Sequence, residues 1–498
     1  MKKNFSFLAI AITISSSIMA QSFNFTVGDR RSSSPMTDPE VEVFENGNNK
    51  YILYSTYTMK DGMLLQLQGF KPNNDYLCSK KLYVPEEKML ISIYEGFLKL
   101  NNNMQLVKSV FNKEFKKTLL YSHAINEYGD LSDDKKELLS IPAEKAMNSG
   151  NFSCETSPNK QFAVVLSEFP FAKETKEKIM VTVFDKQLKT VFTKEYILPY
   201  DSKRGVSNTP IVTNDGSVFI IKKYSLPKMP EMLTVFSIAN NGEAFKENVI
   251  PFTDPQKYES FNYTLNDKNE LIVTGFYTED GKVTFGGTKQ KGTYYMQLTT
   301  KGDIVSHKIS AFEKYFTGLT IRQVLVSDNN QRTALITESF IKRNNSTLGA
   351  GNQLVYSTEY TEGDGVVFML NETGEFIKSQ QFQKSQQSFN DGGLYGSIFG
   401  AFAKDKLAIV YNDFQYKHDG KKYVVVPIAL NGVKVPIINI LDKNGNIENE
   451  FPAIDGSVGG KRNETQLLPL TGCQLSNNQL FFIGSKDEDC MPIILDLK

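Results

Sequence analysis

The chain has 498 residues, with 56 Lys and Arg against 56 Asp and Glu, no Trp and only 3 His. That balance gives no general attraction for polyanions, so neither nucleic acid nor an anionic membrane surface is an expected partner. Four cysteines, Cys78, Cys154, Cys473 and Cys490, are too few for a disulfide scaffold, and the length allows a real hydrophobic core.

Residues 1–20 read as an export signal. Lys2 and Lys3 supply the positive start, "FSFLAIAITI" the short apolar core, and "SSSIMA" the small residues before cleavage after Ala20. No Cys follows the cleavage point, and no later stretch is long enough to cross a bilayer. The expectation is an exported chain, periplasmic or secreted, without membrane insertion, in which 21–498 is a single domain. Loss of Lys2 and Lys3 leaves 54 basic against 56 acidic residues, a net charge of −2.

From there the composition favours strand: Phe (35) and Tyr (23) are abundant and Val and Ile come in short runs. Helical periodicity is confined to "LSDDKKELLS" (131–140), which Ser132 would cap, and "PAEKAMNSG" (142–150), which Pro142 would open and Gly150 close. Everything else repeats a hairpin. An apolar residue, a short polar turn and a late Gly or Asn recur at Phe70, Phe111, Phe184, Ile238, Leu298, Leu370 and Leu441, in steps of 41 to 73 residues. A left-handed residue late in a short turn is hairpin chemistry. A second pattern precedes most of these: a polar Asn/Asp/Gly turn, an apolar run, then an aromatic, as in "SPNKQFAVVLSEF" and "NDKNELIVTGF".

Together the two patterns describe four antiparallel strands per unit, the signature of a β-propeller blade. The chain ends in "PIILDLK", one strand short of a full unit, while "QSFNFTV" (21–27) is a strand without one. The expected fold is all-β: a propeller of four-stranded antiparallel blades, the last completed by the N-terminal strand. Eight blades are favoured. Seven is the alternative if residues 86–125, with short first strands, form no blade.

The signal, the Asn/Asp-rich turns, the "FDK" and "LDKNG" hairpins and the segment "GTYYMQL" resemble secreted bacterial β-propeller repeat proteins. The resemblance covers nearly all of the mature chain. It implies the fold and no activity, because unrelated functions share this ring. Without Trp there is no WD dipeptide, Trp-terminated Asp-box or Trp-docking motif.

Asp442, Asn444 and Asn446 have the spacing of calcium-loop ligands, but Ile447 stands where such a loop needs Gly, and Gly445 stands where a hairpin does. A plain turn is the expectation. The aromatics ending the apolar runs, Tyr57, Phe169, Tyr224, Phe276, Phe340 and Phe414, read as packing between blades rather than as stacking platforms. Tyr277, Tyr360, Tyr395 and Tyr416 read as loop residues and are the ligand-face candidates. His123, His307 and His418 match no local metal spacing. No G-x-S-x-G elbow, P-loop, H-E-x-x-H or Rossmann fingerprint occurs, so no catalytic residue, metal or cofactor is assigned. Cys473 and Cys490 should lie two strands apart, about 9–10 Å, beyond the reach of about 7 Å that a disulfide allows.

Turns between first and second strands, and between third and fourth, are short. Second-to-third and inter-unit connections are long, and in an antiparallel blade both emerge on the same face. Loops on a rigid scaffold are where binding concentrates. The sequence therefore reads as a monomeric binding module for a protein or peptide, using loops at 341–365 and 415–435, with "VVVPIALNGVKVPI" (424–437) as an added hairpin. The alternatives are a carbohydrate-active hydrolase or lyase with acidic residues at the central channel, and a structural envelope component.

Overall fold

The computed structural model describes residues 23–28, 31–32, 39–58, 62–84, 92–202, 208–224, 232–279, 283–284, 287–348, 354–403, 406–414, 416–418, 423–425, 434–452, 466–475, 479–486 and 489–497. The expected signal, 1–20, lies outside them. Among the described residues every regular element is a strand.

Eight sheets follow one another along the chain. Each has four antiparallel strands, paired in chain order in the first seven, over 40–83, 92–142, 151–201, 208–249, 257–317, 319–382 and 398–452, and the eighth takes three of its strands from 466–497. These are blades 1 to 8. The fourth strand of blade 8 is Phe23–Val27, which pairs antiparallel with Asp489–Leu497 in the register Phe23↔Leu497 to Val27↔Ile493. The Gly28 amide continues the ladder to the Pro492 carbonyl at 2.8 Å. The ring is thus closed by its two ends, as the truncated last unit implied. Blade 2 is a complete sheet, so the count is eight.

Each blade buries both faces. In blade 3 the second strand, Phe162–Glu168, sends Ala163 and Val165 into a cluster with blade 2, and Val164 and Leu166 into a cluster with blade 4. The second strand of blade 8 does likewise: Leu480 and Phe482 face blade 7, Phe481 and Ile483 face blade 1. Eight such clusters join the blades pairwise, and the one containing Ile52, Phe70 and Phe481 joins the last blade to the first. First strands touch first strands of adjacent blades, for example Ser92–Leu100 with Asn151–Thr156 and Glu40–Asn46 with Gln466–Leu475, which places them around the axis.

The expected turns close as hairpin chemistry predicts. Asn74, Leu188, Gly242, Gly302, Gly374 and Gly445 are left-handed and end third-to-fourth turns. The turn after Phe111, closed by left-handed Lys116, differs: it joins the second and third strands of blade 2. Blade 2 is therefore out of phase with the reading from sequence and runs over 92–142, not 86–125. Its fourth strand, Leu131–Pro142, is the segment expected to be helical. The charged run "DDKKE" lies exposed on this outer strand, where pairing to Lys117–Ile125 satisfies one edge of the backbone and overrides helix propensity. Ser132 accepts from the Asp134 amide at 3.2 Å, a local turn rather than a helix cap, and 142–150 is irregular apart from one bridge, Lys145↔Asn148.

The two faces differ as expected, though the elaboration is regular structure. In blade 6 the second and third strands, Arg332–Leu348 and Leu354–Asn371, extend one long hairpin that takes in most of the expected loop at 341–365. Gln386–Phe389 adds to its edge. Blade 7 carries a small hairpin, Tyr416–His418 with Tyr423–Val425. Residues 434–437 belong to the third strand of that blade, not to an added hairpin, and 426–433 lie outside the described residues.

Deleting residues 22–27 should leave Asp489–Leu497 as an unpaired edge. The expected outcome is a broadened, lower thermal transition and aggregation at concentrations where the full chain stays in solution, read by calorimetry and light scattering.

Candidate functional site

The oxygen ladder at Asp442, Asn444 and Asn446 forms a turn that satisfies itself. Asp442 Oδ1 accepts from the Asn444 and Asn446 amides, both at 2.8 Å, and Oδ2 accepts from Asn446 Nδ2 at 3.1 Å. Asp185 and Asn371 cap sister turns in the same way. Slight burial raises the Asp442 pKa, and the hydrogen bonds from Asn446 and Asn444 outweigh it, leaving the carboxyl below its usual range.

The four tyrosines do not form one site. Tyr277 lies in the second strand of blade 5, buried in its cluster with blade 4, and Tyr360 lies buried in the blade 6 hairpin. Neither is the loop residue expected, because the apolar runs extend further than the turn signals suggested. Tyr395 is half-buried, its hydroxyl 3.2 Å from Ser485 Oγ. Tyr416 is in the small hairpin of blade 7. Of the strand-end aromatics, Tyr224 and Phe276 are buried, whereas Tyr57 is 72% exposed. Phe169 carries the Lys178 ammonium 4.4 Å above its ring. His123 is buried with Nδ1 3.1 Å from the Ser132 carbonyl, and burial depresses the pKa of His307. All four cysteines are free thiols.

What the structure brings together lies on the elaborated face, at the inner ends of the blades. Between blades 2 and 3 a cavity of about 390 Å3 is lined by Glu95, Glu168 and Glu177 together with Phe169, Phe171 and Met147. Glu95 comes from a first strand, and Glu168 and Glu177 from the facing ends of a second and a third strand. Glu95 accepts from Ser109 Oγ. Burial lifts its pKa to about 7, and hydrogen bonds from Ser109 and the Phe152 amide only partly offset this. Glu168 accepts from Asn208 and from Asn151 (3.4 Å), and burial raises its pKa as well. Lys222 of blade 4, fully buried, places Nζ 2.6 Å from Glu177 Oε1 and 2.8 Å from Asn208 Oδ1.

A second polar cluster joins blades 6 and 7. Glu338, fully buried, is held by Arg322, by Lys384 Nζ at 2.5 Å and by Ser397 Oγ at 2.8 Å. Glu362 is also fully buried, yet neither of its oxygens has a hydrogen-bond partner. Its carboxylate sits against Gly393 and Gly396, where a side chain on Gly396 would overlap it. Burial lifts its pKa to about 7; Glu338 and Asp391 add to that and Lys384 opposes it.

These residues were not assigned from sequence, although a signal existed. Glu168, Lys222 and Glu338 each stand within two residues of the aromatic that ends an apolar strand, in "SEF", "KKY" and "ESF". A charge at the buried end of such a strand needs a partner from another strand or blade. Which partner it finds depends on the ring.

Two predictions follow from this geometry. Asp442→Ala should cost about 1 kcal/mol of stability, the scale of a lost turn cap, and the loss should be the same in calcium as in chelator. A calcium-dependent melting temperature abolished by the substitution would instead make the turn a metal site. For Glu362 the folded carboxyl titrates above its unfolded range. Its stabilising contribution is therefore complete in acid, falls as pH rises through the usual carboxylate range, and is gone above about 7. Glu362→Gln should then match wild type at pH 5 and exceed it at pH 8 by about 1–3 kcal/mol. Parallel stability–pH profiles would contradict the assignment.

No protein family matches this sequence, and no curated protein matches it. Among solved structures the chain is similar to the β-propeller domain of the Trilobed protease from Pyrococcus furiosus, at 10% identity over 85% of this chain and 97% of that one, with a TM-score of 0.33. It is similar to the WD40 domain of SCAP from fission yeast at 9% identity, over 96% and 95%, with a TM-score of 0.38. A member of the DUF4221 family from Bacteroides vulgatus matches at 11% identity over 78% and 92%, with a TM-score of 0.31. The propeller architecture rests on the pairing and packing of this chain's own blades, and these likenesses assign no function.

Proposed function

We propose that the chain is an exported interaction module, directed out of the cytoplasm by residues 1–20, whose elaborated face engages a protein or peptide partner. The supporting observation is the asymmetry of the ring. One face has short hairpin turns. The other carries the long hairpin of blade 6, the small hairpin of blade 7 and the cavity between blades 2 and 3. On the long hairpin and its edge, Tyr356, Phe389 and Ile341 are exposed, at 73%, 53% and 43%. Aromatic and aliphatic side chains held out on a rigid scaffold are contact anchors. Replacing residues 345–357 by a two-residue turn should leave the thermal transition unchanged and abolish cross-linked capture of the partner from envelope extracts. Undiminished capture by the trimmed ring would refute this face as the interface.

A second reading, a glycoside-cleaving enzyme, is favoured by one observation. A protonatable Glu95 lines the same cavity as Glu177, a carboxylate paired with an ammonium. Two carboxyl groups facing one cavity are the requirement of that chemistry. Release of reducing ends from a polysaccharide by wild type, lost in Glu95→Gln with the fold intact, would establish it over the binding reading.

A further inference from the structure

We propose that the cavity between blades 2 and 3 receives a cationic side chain, lysine or arginine, presented by the partner. The inference deepens the interaction reading and rests on it. The cavity, open to solvent and of about 390 Å3, is large enough to receive a long side chain. Its lining divides by chemistry. Ile93, Met147, Phe169 and Phe171 are apolar, while Glu95, Glu168 and Glu177 are carboxyl groups, and no Lys or Arg is among the lining residues. Met147 is 98% exposed at the rim. A ligand with an aliphatic stem and a charged head suits such a surface, since each part then meets its own kind. A neutral ligand would cover carboxylates without compensating them, and an anionic one would be repelled.

The cavity walls already bind ammonium groups in two ways. From outside the lining, Lys222 is held by Glu177 at 2.6 Å with every part of its side chain buried. The Lys178 ammonium lies over the ring of Phe169 at 4.4 Å, the contact a second cation would use on the same aromatic. Glu168 is fixed in place by donation from the Asn151 and Asn208 amides and makes no ion pair of its own, Lys222 bonding Glu177 and Asn208 instead.

The test uses the full-length protein and four acetylated, amidated tripeptides, Gly-X-Gly with X lysine, arginine, norleucine or glutamate, measured by calorimetric titration. Lysine and arginine should bind about tenfold more tightly than norleucine, the scale of one charge-assisted contact. Glutamate should not bind, and added salt should reduce the preference. Met147→Lys, at a position too exposed to affect folding, should weaken the cationic peptides about tenfold by placing a competing ammonium at the rim. Glu168→Gln should remove the preference. Equal binding of lysine and norleucine peptides, or a preference untouched by Met147→Lys, would overturn the proposal. If trimming the blade 6 hairpin abolishes partner capture while no charge preference exists, the cavity inference fails and the interaction face stands. If lysine peptides bind selectively while the trimmed ring still captures its partner, the face fails and the cavity stands.

Discussion

The structure depends on one requirement: every blade is apolar on both faces and must have a neighbour on each side. Strand periodicity makes this unavoidable. A run such as Ala163–Leu166 has no polar face, so consecutive side chains point into opposite clusters. A linear stack would leave the outer faces of its first and last blades in water. Only a cycle removes those faces, and the cluster of Ile52, Phe70 and Phe481 is where the cycle closes. The borrowed strand Phe23–Val27 completes the same requirement in the direction of the hydrogen bonds, giving blade 8 the width of the others.

Apolar clusters bring blades together without fixing their order or height, and two sets of polar contacts on the plain face supply that. Near the axis, first-to-second turns link in sequence: the Asn101 amide to the Lys160 carbonyl, the Asn159 amide to Asn214 Oδ1, and the Asn214 amide to Asn269 Oδ1. At the periphery a lysine on the fourth strand of each of blades 1 to 6 reaches the third-to-fourth turn of the next blade. The series runs Lys80 to Asp130, Lys136 to the Leu188 carbonyl, Lys194 to Glu243, Lys246 to Asp303, Lys308 to Glu375 and Lys378 to Asn446, all between 2.6 and 2.8 Å. Most are exposed pairs, screened by solvent and of little net worth to stability. Their regularity therefore matters for register more than for stability.

Most of the architecture was legible because a blade is written in local signals. The left-handed Gly or Asn of the turns, the alternation between clusters and the unpaired strands at the two ends can all be read within a few residues. Blade 2 resisted because its tight turn after Phe111 sits between second and third strands, so the same local signal carried the opposite topological meaning. Its fourth strand resisted because an exposed outer strand needs no alternation, and charge at helical spacing passed for a helix. The sites were the least legible part. Lys222 meets Asn208 across its own hairpin, but Glu168, 54 residues before Lys222, joins them only once blades 3 and 4 pack together. Glu362 looks like any polar residue in "TEGDG" until Gly393 and Gly396, from a different segment, close over it.

The placement of the buried charges separates the duties of the two faces. On the plain face the lysine contacts are mostly exposed and replaceable, and they serve the ring. On the elaborated face Lys222 with Glu177 and Lys384 with Glu338 are shielded from water, so each pair bears a desolvation cost that its attraction only roughly offsets. Apolar residues of similar volume would hold blades 3 and 4, or 6 and 7, together at least as well. Stability alone therefore does not account for carboxyl groups concentrated at the inner ends of second and third strands. Their placement on the face that carries the extended hairpins, three of them lining the cavity between blades 2 and 3, is accounted for if that face must present fixed charge to something that enters from solvent.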